Sequence, residues 1–144
     1  MDKPVVEVDT TINARPEKVW RAMTQTKSPM FMGATMETDW TPGTAYTLKG
    51  EWDGKPFTDY GEIETVDEPR ELTFTHWAKT PERPESYNAV RLTIQPEGEG
   101  SRVTLAQLAR GKEQAFDDKA KSEFKNNWSM MLDGLKRAAE NSGV

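Results

Sequence analysis

The sequence predicts an α+β domain in which a curved antiparallel sheet of about six or seven strands wraps around a long C-terminal helix. Three observations predict it. Apolar residues alternate with period two through most of residues 35–109, in runs separated by Gly- and Pro-containing breaks. After Gly111 the period becomes helical and stays so. No repeat, low-complexity tract or linker divides the 144 residues, and that length favours one core, hence one domain over 1–144.

The elements follow in order. Val5, Val6, Val8 and Ile12 make an extended, β-branched opening strand. Pro16 then sits at a first helical position with Glu17 in the first turn, and Val19, Trp20 and Met23 share one helix face. Ser28-Pro29 starts a second short helix, Met30-Phe31-Met32, closed by Gly33. The period changes to two in Met36, Thr38 and Trp40 and, past the Pro42-Gly43 turn, in Tyr46, Leu48, Gly50 and Trp52. Asp53-Gly54 signals a hairpin, because both central residues of a type I′ turn need positive φ. The returning strand puts Asp59, Gly61, Ile63 and Thr65 on one face and ends at Asp67-Glu68-Pro69-Arg70, after which Leu72, Phe74 and His76 alternate. Residues 80–85, with two prolines and no period, form a surface loop. Val90, Leu92 and Ile94 pair with Val103, Leu105 and Gln107 across Pro96–Gly100, completing a meander. Finally, Phe116, Ala120, Phe124, Trp128, Met131, Leu135 and Ala138 form the apolar stripe of the terminal helix.

Composition narrows the function. Nineteen Lys and Arg face 24 Asp and Glu, a net charge of -5, which repels a polyanion and argues against nucleic acid. With no Cys, a disulfide, a thiolate nucleophile and a Cys-ligated metal are excluded, and a single His excludes a His-cluster metal site. No apolar run approaches the ~18 residues of a membrane span, so no membrane insertion is expected. Met1-Asp2-Lys3-Pro4 does not open like a signal peptide, and the expected location is cytoplasmic. No phosphate loop, dinucleotide fingerprint or nucleophile elbow is present, and no cofactor is expected.

A sheet bent around a helix seldom fills its interior, and the side chains expected there are bulky or soft. Met32, Met36, Trp40, Tyr46, Trp52, Phe74, Phe124, Trp128 and Met131 supply apolar area for a small molecule, with Tyr46, His76 and Asp59 to orient it. Each is also what an ordinary core needs; only the group, in this topology, points to a cavity. If Ile63 pairs with Phe74, Gly61 lies opposite His76 and Asp59 sits diagonally beside it, making an Asp59–His76 pair that a slip of one residue would dissolve. Glu62 and Glu64 then point outward as solvated carboxylates, and the mixed charges of residues 117–125 form a wet helix face.

Arg15-Pro16-Glu17-Lys18-Val19-Trp20-Arg21-Ala22-Met23-Thr24, Asp39-Trp40-Thr41-Pro42-Gly43, Gly61–Pro69, Arg70-Glu71-Leu72 and Trp128 through Leu132-Asp133-Gly134-Leu135-Lys136 resemble the START-like (SRPBCC) superfamily. Within it they are most similar to the group named after the C-terminal domain of the activator of the heat-shock-protein-90 ATPase. The resemblance covers nearly the whole chain, through motifs that carry no catalytic group, and implies the helix-grip (START-like, birch-pollen-allergen-like) fold, a hydrophobic cavity between sheet and helix, and only sometimes a reaction. Two positions depart from the family pattern: His76, followed by Trp77, stands where an aromatic is common, and Asn127 stands where Gly often precedes the helix tryptophan. The first departure predicts a more polar cavity wall.

Three functions are compatible with this reading. The first is a noncatalytic or weakly catalytic domain holding a small hydrophobic or amphipathic molecule. The second is a protein-interaction module with a chaperone or other protein partner, which only the resemblance suggests. The third is a polyketide cyclase or aromatase-like enzyme in which His76 or Asp59 shuttles protons. A monomer or a homodimer suits each.

Overall fold

The structure, a computed structural model, describes residues 4–141. Met1-Asp2-Lys3, part of the stretch read above as unlike a leader, lies outside the described residues. The β-branched opening forms β1 (Pro4–Ile12), and Pro16 at the first turn starts α1 (Pro16–Met23), which buries Val19, Trp20, Ala22 and Met23. There follow β2 (Lys27–Ser28), β3 (Ala34–Glu37), β4 (Ala45–Trp52), β5 (Lys55–Asp67), β6 (Glu71–Ala78), β7 (Ser86–Glu97), β8 (Gly100–Gly111) and α2 (Asp118–Asn141). The strands make one eight-stranded antiparallel sheet in the order β1-β8-β7-β6-β5-β4-β3-β2, so only β1 pairs out of sequence. The α+β helix-grip fold is thus present, with one strand more than the upper expectation.

Two local expectations fail. Met30-Phe31-Met32 is not a second helix but a turn: Gly33 N–H donates to Ser28 O at 2.8 Å and Ala34 N–H to Phe31 O at 3.0 Å. The segment between Pro29 and Gly33 is too short to repay helix nucleation. Nor does a strand run through Trp40. Thr38 Oγ1 accepts from Trp40 N–H at 2.9 Å and Asp39 Oδ1 from Thr41 N–H at 3.0 Å, so these side chains compete with the ladder and end β3 at Glu37. The Asp53-Gly54 hairpin forms as read, with φ of 53° and 76° and Trp52 paired to Lys55.

The β5–β6 ladder opens beside Gly61. Tyr46 from β4 enters the gap, where its hydroxyl donates to Thr75 O at 2.6 Å, while Glu62 N–H donates to Thr75 Oγ1 at 2.9 Å. A Cβ on Gly61 would lie 2.0 Å from Thr75 O and 2.5 Å from Tyr46 Cε2, so glycine there makes room for the ring.

Asp117 Oδ1 accepts from Ala120 N–H at 2.8 Å and caps α2, leaving Phe116 ahead of the helix. The 24-residue helix is about 36 Å long. Its buried residues, Leu132, Leu135 and Ala139, all lie in the second half, where the helix packs against β1 and α1. The expected stripe is therefore right as far as Met131 and Leu135 but shifts from Ala138 to Ala139, because the stripe of a 3.6-residue helix drifts against fixed spacing. Two bonds fasten that end: Lys136 Nζ donates to Thr11 O at 2.8 Å, and Glu140 Oε2 accepts from Asn13 N–H at 2.8 Å.

Candidate functional site

The first half of α2 buries no residue, yet it carries Phe124 and Trp128 toward the sheet, half-buried, and Met131 follows just past the midpoint in the same state. Beneath it lies an open hollow of about 450 Å3. Phe124, Asn127, Trp128 and Met131 roof it; Phe31 and Met32 come from the turn after β2; Leu48, Trp52 and Phe57 come from the β4–β5 hairpin. Successive sheet strands contribute Asp59, His76, Asn88 and Gln107. Trp52 and Met32 are 58% and 55% exposed, two of the most exposed large apolar side chains described, and both line this hollow.

Ile63 does pair with Phe74, and Asp59 pairs with Ala78, diagonal to His76. The expected pair forms: His76 Nε2 and Asp59 Oδ2 are 2.9 Å apart, and both side chains face the hollow. The His76 ring stacks on Phe31 at 16° and 6.3 Å, and Phe31 meets Trp128 edge-on at 6.4 Å. A second polar chain crosses the floor. Trp128 Nε1–H donates to Gln107 Oε1 at 2.7 Å, and Gln107 Nε2–H donates to Asn88 Oδ1 at 3.2 Å.

Seven of the eleven expected site residues line the hollow: Met32, Trp52, Asp59, His76, Phe124, Trp128 and Met131. Met36, Tyr46 and Phe74 instead lie in the core, 4%, 2% and 2% exposed, and Trp40 packs partly buried against that core. Tyr46 orients no guest because its hydroxyl is committed to Thr75. Burial first, and the nearby Asp59 charge second, push its phenol well above its ordinary range, so it remains a neutral donor. Phe31, Leu48, Phe57, Asn88, Gln107 and Asn127 complete the lining and were not among the expected site residues. For Gln107 the signal existed, since it alternates with Val103 and Leu105 on the inner face. Glu62 and Glu64 stay off the hollow, as read, but are not simply solvated: they pair with Arg83 at 3.4 Å and Arg110 at 2.9 Å, and the Glu64–Arg110 pair is half-buried. Among the described residues no three His, Cys, Asp or Glu side chains converge as a metal site would require, and no helix is long and apolar enough to cross a membrane.

The sequence profile named Activator of Hsp90 ATPase homolog 1-like protein matches residues 13–140. The chain belongs to this family. The solution structure of ChR145 from Cytophaga hutchinsonii is similar at 33% identity and a TM-score of 0.76, covering 98% of this chain and 97% of that one. Protein MLL2253 from Mesorhizobium loti superposes at 21% identity and a TM-score of 0.74, covering 96% and 98%. Ara h 8.0201 does so at 15% identity and 0.71, covering 93% and 95%, which carries the helix-grip fold alone. Among curated proteins, none matches this activator-homologue-like chain.

Proposed function

We propose that the protein binds a small hydrophobic or amphipathic molecule between its sheet and the first half of α2. The observation that carries this reading is the roof: half a helix whose large apolar side chains remain half-buried over about 450 Å3 of space, a volume in the range of small-molecule sites. Folding alone does not bury Phe124, Trp128 and Met131 fully, and an apolar guest would cover what the core leaves open. The polar groups are few, and Asp59, His76, Asn88 and Gln107 gather on the sheet side as an orienting wall, with Asn127 alone in the roof.

The test is a thermal-shift panel of fatty acids, sterols, flavonoids and polyketides on the full chain. A member present at 100 times its dissociation constant should add ~2.7 kcal/mol and raise the melting temperature. No response across the panel overturns the reading. A second reading, a protein partner of the kind the family name suggests, is favoured by the exposure of Trp52 and Met32 at the mouth of the hollow. Capture of a chaperone that is lost on Trp52→Ser, together with a silent panel, would decide for it.

A further inference from the structure

The hydrogen-bond directions around the hollow define what kind of polar group a guest must carry. A carboxylate only accepts, so with a neutral imidazole the hydrogen between Asp59 and His76 sits on Nε2, which leaves Nδ1 as an acceptor. Among the described residues Nδ1 has no hydrogen-bond partner. The second chain is oriented just as firmly. The Trp128 indole only donates, which turns the Gln107 carbonyl toward it; the Gln107 amide therefore donates to Asn88 Oδ1, and Asn88 is left with its Nδ2 hydrogens. Nδ2 likewise has no partner among the described residues.

His76 and Asn88 are direct cross-strand partners on β6 and β7. Their Cβ atoms are thus roughly 4.5–5.5 Å apart, which makes the two side chains neighbours and lets one guest oxygen face both. A hydroxyl is the group that fits, giving its hydrogen to His76 Nδ1 and accepting one from Asn88 Nδ2. A carbonyl or an ether can satisfy Asn88 but leaves His76 without a hydrogen. Next to these two groups stand the Phe31 ring, stacked on His76, and the Trp128 indole, set edge-on to Phe31. Those ring planes favour a flat guest over a bulky or flexible one.

We infer that the hollow selects a flat aromatic or enolic molecule bearing a hydroxyl, held between His76 Nδ1 and Asn88 Nδ2. This rests on the cavity reading above and narrows its guest to a hydroxyl donor. The probes are 2-naphthol and 2-methoxynaphthalene, which share the ring system and differ in whether the oxygen carries a hydrogen or a methyl group, measured by equilibrium dialysis against the full chain. The wild type should prefer 2-naphthol by about tenfold, the order of one hydrogen bond. His76→Phe keeps the ring that stacks on Phe31 and removes Nδ1, and should bring the ratio near one. Asp59→Asn can give a hydrogen to Nε2, which moves the ring's own hydrogen to Nδ1 and should lower or invert the preference. Equal binding of both probes by the wild type overturns the hydroxyl rule while leaving the cavity reading standing. A preference that survives His76→Phe shows that another group takes the hydrogen and overturns the assignment to Nδ1. Binding of neither probe counts against both readings.

Discussion

Replacing Tyr46 by Phe tests how the opened β5–β6 ladder is held. The ring stays, edge-on to Phe74 at 5.7 Å, so packing is conserved and only the hydroxyl is lost. That hydroxyl donates at 2.6 Å to Thr75 O, and it stands in for Glu62 N–H, which is directed instead to Thr75 Oγ1. Tyr46 is 2% and Thr75 1% exposed, so water cannot readily replace the donor. Removing one partner of a buried hydrogen bond leaves the other unsatisfied, at a cost of about 1–3 kcal/mol. In urea the expected result is a lower midpoint with an unchanged slope, and on heating a melting temperature lower by about 2–4 °C for each kcal/mol. A loss below about 0.3 kcal/mol would refute the reasoning, since it would mean that Thr75 O finds another donor.

Three further outcomes follow from the same geometry. Gly134→Ala adds a Cβ only 2.5 Å from Pro29 O, so the gain of about 1 kcal/mol expected from helix propensity should be outweighed by a net loss of about 1–3 kcal/mol in chemical denaturation; a stabilised variant would contradict the close approach of α2 to that turn. Glu140→Gln should cost up to about 1 kcal/mol near neutral pH, because the carboxylate binds Asn13 N–H and Lys136. Those partners, the Asn13 N–H first, hold the Glu140 carboxyl below its ordinary range, so its contribution is present above the unfolded value and vanishes as pH falls through the folded one; melting curves of the two proteins should converge in acid. Trp52→Ser, at a side chain 58% exposed, should change stability by less than about 0.5 kcal/mol yet weaken ligand-induced thermal shifts.

Sequence reasoning reached the Asp59–His76 pair because the chain supplies its own register mark: Asp53-Gly54 fixes one hairpin, and matching Ile63 to Phe74 places Asp59 and His76 on one face. It missed what depends on groups outside the apolar pattern. Thr38 and Asp39 stop β3 through side-chain hydrogen bonds, which period-two alternation of Met36, Thr38 and Trp40 does not register. Gly61 is a gap for another strand's ring, visible only once β4 lies beside β5. Asn88 and Gln107 are polar at inward positions, and a pattern of apolar residues passes over them although they complete the wall. The stripe on α2 shows which face is turned inward. How far the helix stands from the sheet depends on Leu132, Leu135 and Ala139 being seated while Phe124 and Trp128 are not.

The indole N–H resonances of the five tryptophans test the central claim most directly. Trp128 and Trp52 line the hollow, whereas Trp20 is packed in the core and Trp77 lies against Tyr87, outside the lining. Titration of the labelled chain with a flat apolar molecule such as 2-naphthol should move the Trp128 and Trp52 signals and leave those of Trp20 and Trp77 in place. Signals that shift only at Trp77 and Trp20, or at none of the five, would contradict a guest between the sheet and the first half of α2.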